Sequence, residues 1–425
     1  MVRSIKTLLF SFLLKCYKLY FFFQYSAIDT SPLSKYVMQP TWDFTVKLIP
    51  NWIAPNLLTF TGFICLVIDT CVLTVLDYDC TSSGKIGGEP SHTIPNWVFT
   101  VCGVLLFLAY NLDGVDGKQA RKIGISGPLG EMFDHGLDSY IVFLIPFCLF
   151  SVFGRDEYSL PDFRAFLVVA SVVSNFYISH WEKYNTGTLY LPWGYDVSMW
   201  VRNAAGFWLK FLNITFMQVL EVVIHSTGLF TTLPVALYNV YLSYKNRTGK
   251  MYSFLEAIRP LFPMTILIAT IATWVLKSPN NAASYDPRAL NLLFGTLFSH
   301  ISRLIVAEIS DQRCDAVSPL LWPLVIGVPT SLYQPYLELP ILYSLTLCSI
   351  LAHAHYGISV LLFFVFGLLN VVFTVGRQAA QSTAVCLLLS TAMLVRCSLF
   401  CMPKQLFVIS LFIIMFRNIS FFPTD

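Results

Sequence analysis

From residue 52 onward the chain alternates long apolar stretches with short polar ones. Ten stretches read as bilayer-crossing helices: Ile53–Val75, Trp97–Leu112, Ser139–Phe153, Phe163–Ser179, Met199–Ile224, Leu229–Tyr244, Pro260–Leu276, Leu290–Ile309, Ser318–Tyr333 and Leu337–Ala354. The fifth is the weakest, because Arg202, Lys210 and Glu221 interrupt it. The expected fold is all-α, a polytopic membrane helical bundle of about ten transmembrane helices. Three more apolar stretches, Leu361–Val375, Ala384–Val395 and Leu406–Phe416, form an apolar C-terminal extension. The chain divides into an N-terminal interfacial segment (1–51), a membrane domain (52–357) and that extension (358–425).

The segment before the first span differs in character. Residues 1–24 carry short apolar runs broken by Lys15 and Lys18, with no clear small-residue cleavage site. They read as an interfacial helix or weak anchor, not a signal peptide. Residues 25–51 are mixed, and Tyr36, Trp42 and Lys47 suit a membrane interface. Composition agrees with a membrane protein: 56% of residues are hydrophobic and only 12% charged, about half the charge of a soluble domain. A formal net charge of +3 is too small to point to nucleic acid. Eleven cysteines are scattered without a CxxC pair or Cys/His metal spacing.

One polar stretch stands apart, DGVDGKQARKIGISGPLGEMFDHGLD, from Asp113 to Asp138. Asp113 and Asp116 are three residues apart, Asp134 and Asp138 four apart, so each pair shares one helix face. Gly117, Ala120 and Arg121 continue the first stripe, and Gly130 precedes Asp134 on the second. Lys122 to Pro128, with Gly124, Ser126 and Gly127, suits a turn between two helices. The stretch therefore predicts a helical hairpin presenting four carboxylates to one another. Such a set repels itself unless cations lie between its members, and hard oxygen ligands suit Mg²⁺, Mn²⁺ or Ca²⁺. Two ions fit chemistry on phosphate oxygens. The small residues leave room for a bulky ligand, and Arg121 suits a phosphate. A polar turn with capping aspartates is the plainer alternative, and the number of positions at helical spacing weighs against it.

These residues resemble the signature of the CDP-alcohol phosphotransferase family at every signature position. The resemblance implies transfer of a phosphoalcohol from a CDP-alcohol to a lipid hydroxyl, with release of CMP and two Mg²⁺ or Mn²⁺ ions on the diphosphate. It gives Asp113, Asp116, Asp134 and Asp138 as metal ligands, and Gly117, Ala120, Arg121 and Gly130 as nucleotide-side positions. Asn56, in the Ala54-Pro55-Asn56 opening of the first span, caps that helix or binds near the nucleotide. HWEKYNTG (His180–Gly187), LPWGYD (Leu191–Asp196) and YSAIDTSPLS near the start are similar to the ethanolamine-handling branch. That branch implies CDP-ethanolamine as donor, diacylglycerol or alkyl-acylglycerol as acceptor, and phosphatidylethanolamine as product. A choline-specific or dual enzyme is the alternative within the family. The likeness runs from about Tyr25 to Gly357.

A base must take the proton of the attacking hydroxyl. His135 follows Asp134, and Glu131 lies one turn before it, placed to orient the imidazole. Asp138 is the competing base. Loops on the aspartate side carry Lys118, Arg121, Lys122, Lys183, Lys245, Arg247 and Lys250, against Lys85, Arg155, Lys277 and Arg288 opposite. That excess faces the site to the cytosol; the resemblance implies an endoplasmic reticulum or Golgi membrane, and a homodimer is compatible with it. His180–Asn185 and Leu191–Asp196 read as a cytosolic loop whose aromatics and acids meet a cationic head group. An ion-coupled transporter would instead spread carboxylates over several spans near the midplane. A prenyltransferase would need two distant aspartate-rich motifs.

Overall fold

The computed structural model describes residues 26–29, 31–80, 85–86, 89–90, 94–153, 160–191 and 216–376. Among them, eight helices are long and apolar enough to cross a membrane. Their outward faces carry large apolar side chains such as Val75, Phe107 and Phe230, as a lipid-facing surface requires.

After strand β1 (Ala27–Asp29), helix α1 (Gln39–Leu48) is entered through a π-turn at Ser34–Met38. Helix α2 (Pro55–Leu76) opens with proline at its first position, where the missing N–H is not needed. Helices α3 (Asn96–Ile123) and α4 (Pro128–Phe153) form the expected hairpin. Gly124 closes α3 in the left-handed region at φ 74°, which glycine adopts without strain. Helix α5 (Asp162–Thr186) follows, then β2 (Leu189–Leu191), which pairs in parallel with β1. The beginning of the described chain is thereby tied to the end of α5.

Helices α6 (Phe216–Thr227) and α7 (Leu233–Asn246) are one rod joined by a π-turn at Gly228–Thr232. This corrects the separation of the fifth and sixth expected spans, whose residues 199–215 lie outside the described part. Glycine and threonines at 227–232 read as a break, but a widened helical turn accommodates them. A short α8 (Phe254–Ile258) leads into α9 (Leu261–Lys277), and α10 (Ala282–Tyr285) into α11 (Pro287–Ile301) and α12 (Leu304–Ile309). The expected span Ser318–Tyr333 is a second correction. Its helix, α13 (Leu321–Tyr333), has 13 residues, about 20 Å at helical rise and short of a bilayer core. Finally, α14 (Glu338–Gly376) continues well past Ala354, taking in the first stretch of the expected extension. Residues 1–24 and the apolar stretches at 384–395 and 406–416 lie outside the described part.

The Pro287–Ile309 span is innermost, with 72% of its apolar window buried against 22–44% in the others. It packs Phe294 and Phe298 into a core with Phe143, Tyr177, Trp181 and Trp274. Gly295 lets the Phe143 ring lie against its backbone, 2.2 Å from where a Cβ would sit. At one end of α11, Asp286 caps the helix through Ala289 N (2.9 Å) and accepts from Tyr78 and Tyr343 hydroxyls at 3.0 Å. Burial and that carboxylate push the Tyr78 phenol up to about 12. Arg288 is buried beside them, donating to Tyr78 O (2.7 Å) and Ser151 Oγ (2.9 Å), so it is not a loop charge.

Helix α1 braces the hairpin. Trp42, expected at the membrane interface, is buried against Tyr110, Val115 and Met38, edge-on to Tyr110 at 5.6 Å. Tyr36, by contrast, is exposed. Lys118 pairs with Asp43 at 2.5 Å, and Lys122 donates to Val46 O and Ile49 O at the end of α1. A Cβ on Gly114 would lie 2.1 Å from the Trp42 ring. Gly114→Val should therefore destabilise by about 1–3 kcal/mol or more, the usual cost of overpacking. Thermal unfolding in detergent checks it; an unchanged midpoint would show that α1 does not seat on α3 there.

Candidate active site

Helical periodicity and the tight α3–α4 turn together bring distant carboxylates to one place. Asp113 and Asp116 sit on one face of α3, and Asp134 sits on α4 just beyond the turn. One oxygen from each lies within 4.8 Å of the others. Oxygens around a single Mg²⁺ or Ca²⁺ stand ~2.0–2.6 Å from the ion, so this spread fits a shared cation. Asp116 is buried, and Asp113 and Asp134 are partly so. Asp138, one turn beyond Asp134 and partly buried, lies outside that three-residue group. The expected four-member set is thus resolved into three converging carboxylates and one farther along α4.

Thr59 completes the group in a way the sequence did not reveal. It stands on α2 and donates its hydroxyl to Asp116 Oδ2. Such an outer hydrogen bond fixes the orientation of a ligating carboxylate. Gln119 Nε2 ties the same stretch of α3 to Pro50 O (2.9 Å) and Ile53 O (3.1 Å), just before α2.

The remaining expected residues divide between two sides. Arg121 is exposed and folds back over Gly117, its Nη1 3.5 Å from the position of a Cβ on that glycine. The glycine leaves space that the guanidinium borders. Asn56 Oδ1 reaches to 3.6 Å from where a Cβ on Gly130 would sit, so the starts of α2 and α4 meet there. Ala120 is partly exposed near Arg121 on the same helix.

On the inner side, Glu131 and His135 are buried. His135 Nδ1 is 3.9 Å from Glu131 Oε1, beyond hydrogen-bond reach. Glu131 instead accepts from Lys183 of α5, which also lies 3.3 Å from Glu308 of α12. The His135 ring meets the His180 ring edge-on, with centroids 4.9 Å apart. His180, Lys183 and Glu308 were not legible as partners of this hairpin, because each comes from another helix.

Those contacts correct the reading of the HWEKYNTG stretch. His180–Asn185 is not a surface loop; it forms the last turns of α5, and all six residues are buried. Trp181 donates to Ala257 O (2.7 Å), Asn239 donates to Glu182 (2.7 Å), and Tyr184 stacks on Tyr252 at 4.9 Å. These side chains hold helices together. Of the LPWGYD stretch, only Leu191 is described, and it pairs with Asp29 in the β1–β2 ladder.

Comparison with known proteins bears on this geometry. The family model described as "CDP-alcohol phosphatidyltransferase" matches residues 52–234, which include α2, the whole hairpin and α5. Ethanolaminephosphotransferase 1 of Mus musculus is 41% identical over 358 residues, covering 80% of this chain and 88% of the relative. The chain belongs to the CDP-alcohol phosphatidyltransferase family. The Homo sapiens ethanolaminephosphotransferase 1 is likewise 41% identical, over 353 residues with 80% and 88% coverage. Choline/ethanolaminephosphotransferase 1 of Arabidopsis thaliana is 31% identical over 319 residues, with 68% and 76% coverage. The protein is accordingly a multi-pass membrane transferase, and its aspartate cluster lies within the family's matched segment.

Proposed function

We propose that the protein transfers phosphoethanolamine from CDP-ethanolamine to diacylglycerol or an alkyl-acylglycerol, giving phosphatidylethanolamine and CMP. The observation that carries this reading is the convergence of Asp113, Asp116 and Asp134 in a chain 41% identical to ethanolaminephosphotransferases over most of its length. The three carboxylates, with Asp138 beyond them, would hold Mg²⁺ or Mn²⁺, two ions in all. When bound, those ions offset the charge of the diphosphate and of the departing CMP.

The chain's own residues then divide the work. Arg121, bordering the space at Gly117, grips a phosphate oxygen. Asn56, Gly130 and Ala120 line the nucleotide side. His135 takes the proton of the acceptor hydroxyl. Glu131, out of hydrogen-bond reach of that imidazole, is held by Lys183 and ties α4 to α5 beside it. The site faces the cytosol of an endoplasmic reticulum or Golgi membrane. Lys122, Lys245, Arg247 and Lys250 support that orientation; Lys183, buried in its ion pairs, does not count toward it.

Relatives with dual choline/ethanolamine names make head-group choice the open alternative. At equal concentrations, turnover with CDP-ethanolamine should exceed that with CDP-choline in membranes holding only this enzyme. The reverse preference would overturn the ethanolamine assignment and leave the family intact.

A further inference from the structure

A second polar cluster lies beside the site, between α4, α11 and α14, and none of the roles above uses it. His300 of α11 and His353 of α14 stand 5.7 Å apart, centroid to centroid. Tyr356, three residues along α14, lies 5.3 Å from His300, and Tyr140 of α4 lies 5.2 Å from His353. The Nδ1 atoms of both histidines are buried and have no hydrogen-bond partner among the described residues. Native interiors rarely leave such groups unmet, so two together in an apolar surround point to a ligand that meets them.

The cluster is continuous with the catalytic hairpin. Ser139, next to Asp138, contacts Ser299, next to His300. Tyr140 follows Ser139, and Gly136 lies four residues earlier on the same face of α4. No described heavy atom comes within 4 Å of where a Cβ on Gly136 would sit. Gly136 is exposed, so the face of α4 one turn before Tyr140, next to His135, is open. On its outer side, α14 shows Leu351, Ala354 and His355 exposed, where lipid would lie.

The chemistry of the lining selects the ligand class. Imidazole and phenol groups offer neutral donors and acceptors. The charged neighbour Arg303 has its charge offset by Asp315 at 2.9 Å, although its Nη2 makes no hydrogen bond among the described residues. A cation or a phosphate would find no free counter-charge among the ring residues. A hydroxyl flanked by ester or ether oxygens, at the end of two acyl or alkyl chains, matches both the donors and the apolar outer wall.

We propose that His300, His353, Tyr356 and Tyr140 form the subsite for the polar end of the acceptor lipid, loaded from the bilayer along α14. This rests on the acceptor being a glycerolipid, as proposed above. The test uses the full chain reconstituted in phosphatidylcholine vesicles containing diacylglycerol. His353→Leu and His300→Leu should each raise the KM for diacylglycerol by about 3–10-fold, the effect of one lost neutral hydrogen bond. The KM for CDP-ethanolamine should not move, and His353→Asn, which keeps a hydrogen-bonding group near Nδ1, should recover most of the loss. An unchanged diacylglycerol KM, or a rise confined to CDP-ethanolamine, would overturn the subsite. A photoreactive diacylglycerol applied in EDTA without CDP-ethanolamine gives a readout free of catalysis. It should label α11 or α14 of the wild type and be displaced by unlabelled diacylglycerol. Failure of displacement overturns the subsite even if the variants do not fold. Displaceable labelling without phosphatidylethanolamine synthesis would support the subsite and refute the proposed reaction.

Discussion

Asp116→Asn should reduce turnover by roughly a hundredfold or more with the protein still folded. Even the outer partners of a metal ligand account for ~10–100-fold, and Asp116 is the buried member of the three converging carboxylates. Asp113→Asn and Asp134→Asn should be comparably inactive. Thr59→Val should lose less, about tenfold, because it only frees the Asp116 carboxylate to turn. Its loss should shrink as Mg²⁺ is raised, whereas that of Asp116→Asn should not. EDTA should abolish wild-type transfer, and Mg²⁺ or Mn²⁺ should restore it. Transfer that persists in EDTA would remove the basis for a metal at the hairpin.

The second large effect concerns His135. A general base contributes ~10²–10⁴-fold to rate, so His135→Ala should lower kcat by that order. The KM for CDP-ethanolamine should change little, since the aspartates and Arg121 still hold the diphosphate. Glu131→Gln should behave differently from an ordinary loss of an orienting partner. It strands Lys183 in the interior with Glu308 alone at 3.3 Å, and breaking a buried pair typically costs about 3–5 kcal/mol. Its signature should be lower stability and yield, with turnover per folded molecule reduced less than in His135→Ala. Asp138→Asn separates the two candidate bases. If it stayed inactive at saturating metal while His135→Ala kept near-normal turnover, Asp138 would be the base.

The hairpin was legible because its information is local. Carboxylates at i, i+3 and i, i+4, and a Gly/Ser/Pro turn, specify a helical pair without reference to anything else. What the sequence concealed is long-range. Thr59 and Asp116 are 57 positions apart, and Glu131 and Lys183 are 52 apart. Only the packing of α2 and α5 on the hairpin joins them, and no periodicity marks a threonine or a lysine as such a partner. Burial misled in the same way. Trp42 and the His180–Asn185 stretch carry side chains common at interfaces, yet tertiary packing takes them inside. Span boundaries failed where local breakers were absorbed, as at Gly228–Thr232, or where an apolar run fell short of a crossing, as at Leu321–Tyr333.

The most direct measurement uses the purified chain in vesicles containing diacylglycerol, supplied with CDP-ethanolamine and Mg²⁺. Phosphatidylethanolamine and CMP are quantified together for the wild type and Asp116→Asn. The account predicts equal molar amounts of both products from the wild type and almost none from the variant. A wild type that folds and binds Mg²⁺ but forms no phosphatidylethanolamine, or a variant as active as the wild type, would contradict it.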